Sequence, residues 1–210
     1  MSTILHLLAI VAVGYLIGSI PTANIVMRLS RGEDLRQIGT GNVTSTAVII
    51  HAGRVPGTLS LVGEVLKAGL CIFIAYLLVG ELWAYLVIVV AAAVGQIWSV
   101  WLGGSGGQGQ TIMVTSFLVL CPVPFVLAVA CFSCSLFTTK RFVLSNQLFH
   151  LVTPLTLLVA IVFNPLPFGL GYHSWGYAVA GLAFPLLFFL KHRTDSDDVV
   201  QSQAWGTYSR

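Results

Sequence analysis

Charged side chains are scarce in this chain. It carries 10 Lys or Arg and 7 Asp or Glu in 210 residues, 8% in all, against about 25% in a typical soluble domain. So few charges cannot cover a water-facing surface, which excludes a soluble globular protein. The net charge of +3 is too small and too localised to argue for a nucleic-acid partner, and it fits a basic membrane face instead. Cysteine is sparse too: Cys71, Cys121, Cys131 and Cys134 all lie in apolar stretches. Cys131-x-x-Cys134 has no second ligand pair, so two small polarizable side chains on one helix face are expected, not a metal or redox centre. His6, His51, His150 and His173 share no ligand spacing, and no metal is expected. Before Gly14 there is neither a basic n-region nor a small-residue cleavage site, so the first apolar run reads as an uncleaved span. Internal repeats and low-complexity tracts are also missing. So is a serine-nucleophile elbow, because Gly103-Gly104-Ser105-Gly106-Gly107 does not follow a strand in an α/β context.

What the chain has in abundance is apolar length, with 57% hydrophobic residues. The reading is an integral membrane domain over residues 1–193 and a polar cytoplasmic tail over 194–210. Clear apolar segments run from Thr3 to Val26, Val55 to Val79, Leu82 to Leu102, Phe142 to Phe163 and Pro167 to Leu190, each long enough for a hydrocarbon core of about 30 Å. Ile112 to Phe137 is long for one span and short for two, and Pro122-Val-Pro124 breaks it near the middle. If it turns back there as two short half-spans, Arg28, Arg31, Arg36, Arg54, Lys140, Arg141, Lys191 and Arg193 all reach one face. The positive-inside rule makes that face cytoplasmic. The expected fold is therefore all-α and integral to the membrane, with about seven transmembrane elements including the two half-spans, the N-terminus outside and the C-terminus cytoplasmic.

Two glycine-rich strings lie among these runs, Gly39-Thr40-Gly41-Asn42 and Gly103 to Gly109. Glycine lets backbone N–H groups turn toward an anion, and such nests bind phosphate; close helix packing is the plainer reading of the same residues. Arg36, three residues before Gly39, has the planar fork that grips phosphate. Glu64 and Lys67 are helix neighbours inside a span. They read either as a structural ion pair or as a means for Lys67 to hold a phosphate or carboxylate. Gly18-Ser19-Ile20-Pro21 closes the first span, as a simple proline kink or as a mouth where Ser19 meets substrate. His192-Arg193 follows the last span, as an interfacial anchor or as an acid–base group on the same face.

In order along nearly the whole chain, these blocks resemble the bacterial acyl-phosphate-dependent glycerol-3-phosphate acyltransferases. Tyr15 to Pro21 is similar to the family's opening. Asp34-Leu-Arg36-Gln-Ile-Gly39-Thr40-Gly41-Asn42 is similar to its D-x-R-x-x-G-[ST]-G-N block, and Gly53 to Gly69 to the block that follows. Gly95-Gln96-Ile-Trp98 through Gly106-Gly107-Gln108-Gly109 has the outline of its G-H-x-F-P…K-G-G-K-G region. Lys140-Arg141-Phe142-Val143 and His192-Arg193 match later landmarks. The resemblance implies acyl transfer from acyl phosphate to glycerol 3-phosphate, forming lysophosphatidate at the bacterial inner membrane. No cofactor or metal is implied, and the partners are the two substrates and membrane lipid. It assigns Ser19 and His192 to catalysis. To substrate binding it assigns Arg36, Gly39, Thr40, Gly41, Asn42, Lys67, Gly106, Gly107, Gly109, Arg141 and Arg193. Against the pattern, Gln96 stands for a histidine, Ser99 for a proline, and Ser105 and Gln108 for lysines. Those exchanges keep a second reading open, a catalytically inactive paralogue that binds phosphorylated lipid precursors. A transporter or channel, suggested by the Glu64–Lys67 pair and the broken helix, is a third.

Overall fold

A computed structural model describes residues 2–39, 41–139, 142–163 and 175–192. The described residues form helices and turns with no strand. These are α1 (Ser2–Ser19), α2 (Thr22–Arg31), α3 (Ser45–Ala52), α4 (Arg54–Leu78), α5 (Leu82–Ile97), α6 (Gln110–Leu120), α7 (Pro122–Thr139), α8 (Phe142–Phe163) and α9 (Trp175–His192). Short 3-10 turns occupy Leu35–Gln37 and Val100–Leu102. The all-α membrane architecture agrees with the composition. Thr3–Arg31, Arg54–Leu78 and Leu82–Leu102 are each long and apolar enough to cross a bilayer.

Along α4 the large apolar side chains point outward and the polar ones inward, as suits a lipid surround. On α4, Ser60, Glu64, Lys67 and Cys71 recur at helical spacing and are buried, while Leu59, Leu66, Phe73 and Leu77 are exposed. The interior seam between α1 and α5 is made by glycine. A Cβ on Gly95 would stand 2.2 Å from the Tyr15 carbonyl oxygen, and one on Gly18 would stand 2.0 Å from that of Ala92. The two backbones touch directly, the small-residue packing that helices use where lipid supplies no hydrophobic drive. On the far side, Phe125 meets Phe149 edge-on at 5.7 Å and joins α7 to α8.

Three breaks refine the sequence reading. The first apolar run is two helices rather than one, because Pro21 cannot donate a helical hydrogen bond and α1 stops at Ser19. The Leu82 to Leu102 run is likewise α5 followed by a separate 3-10 turn. The expected interruption near Pro122 falls at Cys121, but its pieces are unequal, 11 residues in α6 and 18 in α7. At 1.5 Å per residue α7 is about 27 Å long, so only α6 is short in the sense of a half-span. A further helix, α3, lies inside what reads from sequence as a basic loop. Thr44 caps it, its hydroxyl accepting from the Ala47 amide at 3.2 Å, and Gly53 at φ +98° ends it.

Candidate functional site

The breaks converge. Gly18, Ser19, Ile20 and Pro21 from the α1–α2 corner, Gln96 from the end of α5, Ser99 and Leu102 from the 3-10 turn after it, and Gly106 and Gly107 from the second glycine string line one small cavity with Val43 and Glu64. Its volume is about 10 Å³, at the lower limit for one water. The Ser19 hydroxyl is fully buried there with no hydrogen-bond partner, and so is the side-chain oxygen of Gln96. A buried polar atom left unpaired costs about 1–3 kcal/mol, and two of them in one lining mark a place built to receive a polar group. Sequence reasoning singled out Ser19, Gly106 and Gly107, and the fold brings them together. It met Gln96 and Ser99 only as departures from a pattern, since nothing in their spacing reveals that they face Ser19.

Each wall is held by its own bond. Ser99 Oγ donates to the Ser19 carbonyl at 2.5 Å, and the Gly107 amide donates to the Gln96 carbonyl at 2.9 Å. A Cβ on Gly106 would stand 2.1 Å from the Gln96 carbonyl oxygen, and one on Gly107 would stand 2.5 Å from that of Val43. The glycine string is thus wedged between α5 and the chain that follows the first string. Its amides at Gly103, Gly104, Ser105 and Gly107 donate to the carbonyls of Val100, Ser99, Leu102 and Gln96. Of the two readings of this string, the structure shows close approach at Gly106 and Gly107 and internal bonding along it. Gly109, at φ +71°, turns the chain into α6.

Of the two readings of Lys67, the structure shows the ion pair with Glu64. An ammonium has three donors, and here they meet Glu64 Oε2 at 3.0 Å and the carbonyls of Ile20 at 2.7 Å and Gly18 at 3.3 Å. Glu64 in turn accepts from the Thr22 hydroxyl. Lys67 therefore finishes the end of α1 and fastens the start of α2, as a C-terminal cation does. In this arrangement the ammonium is engaged by one carboxylate and two backbone carbonyls.

The first glycine string sits beside an arginine cluster. Gly39 and Gly41 have φ of +57° and +77°, conformations that suit glycine, and Asn42 is buried. Arg36 grips Asp34 with Nε to Oδ1 at 3.0 Å and Nη2 to Oδ2 at 2.7 Å, while its Nη1 reaches the Leu102 carbonyl at 3.4 Å. The predicted phosphate fork is thus occupied on one edge by Asp34, with the other edge turned toward the second glycine string. Hydrogen bonding from Arg36 foremost, with Arg28 adding to it, holds the Asp34 carboxyl well below its usual range. The Asn24 side-chain oxygen accepts from the Leu35 amide at 2.9 Å and ties this turn to α2. His192 is the last residue of α9. Thr40, Arg141, Arg193 and the tail lie outside the described residues.

Residues 8–202 match the family model described as glycerol-3-phosphate acyltransferase. The chain belongs to this family. A glycerol-3-phosphate acyltransferase of Anaeromyxobacter sp. (strain K) is 34% identical over 205 residues, covering 92% of this chain and 94% of that protein. One of Parasynechococcus marenigrum (strain WH8102) is 29% identical over 197 residues, covering 94% and 88%. The fold is similar to the crystal structure of PlsY (YgiH), an integral membrane glycerol 3-phosphate acyltransferase, in its glycerol 3-phosphate form. That likeness has a TM-score of 0.75 at 24% identity and covers 89% of this chain and 88% of the other. It concerns the fold. With three helices long and apolar enough to cross a bilayer, this member of the family is a multi-pass membrane protein.

Proposed function

We propose that this chain transfers an acyl group from acyl phosphate to the first hydroxyl of glycerol 3-phosphate, at the cytoplasmic face of a bacterial inner membrane. The observation that carries the reading is the family match across residues 8–202. The buried Ser19 hydroxyl beside the second glycine string supports it. Family membership favours an active transferase over an inactive paralogue.

The chemistry asks little of the protein beyond placement. The glycerol oxygen attacks the acyl carbonyl carbon, the bond from that carbon to the phosphate oxygen breaks, and inorganic phosphate leaves with the electron pair. The proton of the attacking hydroxyl ends on the departing phosphate. Acyl phosphate is already activated, so catalysis comes from orientation and from stabilising charge as it develops. Ser19 can donate to, or accept from, a reacting oxygen. Arg36, beside Gly39, Thr40, Gly41 and Asn42, supplies fixed positive charge to a phosphate approaching from its Leu102 side. His192, Arg193 and Arg141 complete the site in this reading, and Gly106, Gly107 and Gly109 shape the wall against which substrate rests. Lys67 acts through the α1–α2 corner that carries Ser19.

The test uses purified protein in detergent or lipid nanodiscs with acyl phosphate and glycerol 3-phosphate, assayed for lysophosphatidate beside Ser19→Ala and His192→Ala. Product from the unmodified protein that falls sharply in both variants is the expected result. Folded protein that yields no lysophosphatidate would overturn the reading.

A further inference from the structure

Asp34 is shared. Its Oδ2 accepts from Arg36 Nη2 at 2.7 Å and from Arg28 Nη2 at 2.5 Å, while its Oδ1 accepts from Arg36 Nε and from the Arg36 backbone amide, both at 3.0 Å. The carboxylate is largely covered, with side-chain exposure of 10%, against 36% for Arg36 and 56% for Arg28. Two cations on one anion leave this trio with a surplus of one positive charge. Without Arg28, Arg36 and Asp34 would form a neutral fork-to-carboxylate pair. A phosphate approaching the Leu102 side of Arg36 would then meet no net attraction, and Asp34 would stand just behind the guanidinium as a like charge.

We propose that Arg28 is a positioning residue for glycerol 3-phosphate: by taking a share of the Asp34 carboxylate, it keeps the positive charge of Arg36 available to the substrate's phosphate. Arg28 reaches Asp34 from α2 and does not line the cavity, so it acts through its neighbour and needs no contact with substrate. The inference rests on the reading of Arg36 as a phosphate contact given under the proposed function.

Steady-state kinetics of lysophosphatidate formation separate the possibilities. Arg28→Gln is expected to raise KM for glycerol 3-phosphate about fivefold, the effect of one partly screened charge several ångströms away, with kcat changed less than about twofold. Arg28→Lys, which keeps the charge, should stay near the unmodified protein, and the loss in Arg28→Gln should shrink as salt rises. The deciding variant is Arg28→Gln with Asp34→Asn. It removes one charge of each sign, returns the surplus to plus one and keeps an oxygen at position 34 to cap the Arg36 amide, so KM should recover. A purely structural link between α2 and the turn predicts the reverse, a double variant worse than the single one. That outcome, or a fall in kcat at unchanged KM in Arg28→Gln, would overturn the proposal. Arg36→Gln separates the two levels. If it leaves KM unchanged, the phosphate role of Arg36 fails. If it raises KM while Arg28→Gln does not, only the role of Arg28 fails.

Discussion

Replacing Lys67 with methionine keeps the length and apolar stem of the side chain and removes only its ammonium. Three partners are stranded at once: the Glu64 carboxylate at 3.0 Å and the carbonyls of Ile20 and Gly18 at 2.7 and 3.3 Å. Breaking a buried ion pair by deleting one partner costs about 3–5 kcal/mol, and the two carbonyls keep the loss at the upper end of that range. For a chain of 150–250 residues each kcal/mol moves Tm by about 2–4 °C, so the expected drop is about 6–20 °C. Tryptophan fluorescence on heating in a fixed detergent reads it directly. The companion variant, Glu64→Leu with Lys67→Met, removes both charges and should regain most of the loss. It should stay about 1–3 kcal/mol below the unmodified protein, because the α1 carbonyls still lack their donor. A Lys67→Met protein melting within 2 °C of the original would refute the reasoning. A double variant as stable as the original would show that the pair matters and the capping of α1 does not.

Gly107→Ala places a Cβ 2.5 Å from the Val43 carbonyl oxygen, a strain typically costing about 1–3 kcal/mol; transfer activity should fall with helical circular dichroism unchanged, and full activity would argue against a close-packed wall. For Asp34, whose folded carboxyl titrates below its usual value, the stabilisation is present above the ordinary carboxylate range near pH 4 and is lost as the pH falls from there through the folded value. The Tm gap between the unmodified protein and Asp34→Asn should therefore hold steady from pH 7 to about pH 5 and close below pH 4; a gap that widens in acid contradicts the pairing. The orientation predicts that cysteines introduced at Ser105 and Ser202 in intact cells resist an impermeant thiol reagent, and labelling of either from outside would invert the topology.

How far the sequence could be read depends on the kind of force involved. Apolar length and proline are local signals. The bounds of α8, the stop before Pro21 and the interruption beside Pro122 could be read in advance because each depends on neighbours a few residues away. The helix α3 went unseen because Ser45–Ala52 is short and carries no amphipathic period, only the Thr44 cap and the closing Gly53. The glycines left two readings open in a more instructive way. Glycine makes phosphate nests and close backbone contacts alike, and only the positions of Val43 and Gln96 in space decide between them for Gly106 and Gly107. Lys67 and Glu64 could be paired from their spacing, but no sequence rule says that the ammonium also reaches carbonyls 47 and 49 residues away. Of the site, Ser19 and the glycine wall were legible as motifs, whereas Gln96 and Ser99 emerge only when α1 and α5 lie side by side.

That long reach of Lys67 dictates an order of assembly. The first helix leaves the ribosome and enters the bilayer well before α4 exists, with the carbonyls of Gly18 and Ile20 still without the donor that will complete them. Water at the interface must serve in the interim, so the corner between α1 and α2 takes its final angle only after the later helix docks and displaces it. The corner between α1 and α2 is consequently finished by a residue that arrives after it, and nascent chains halted before residue 67 should be held open there.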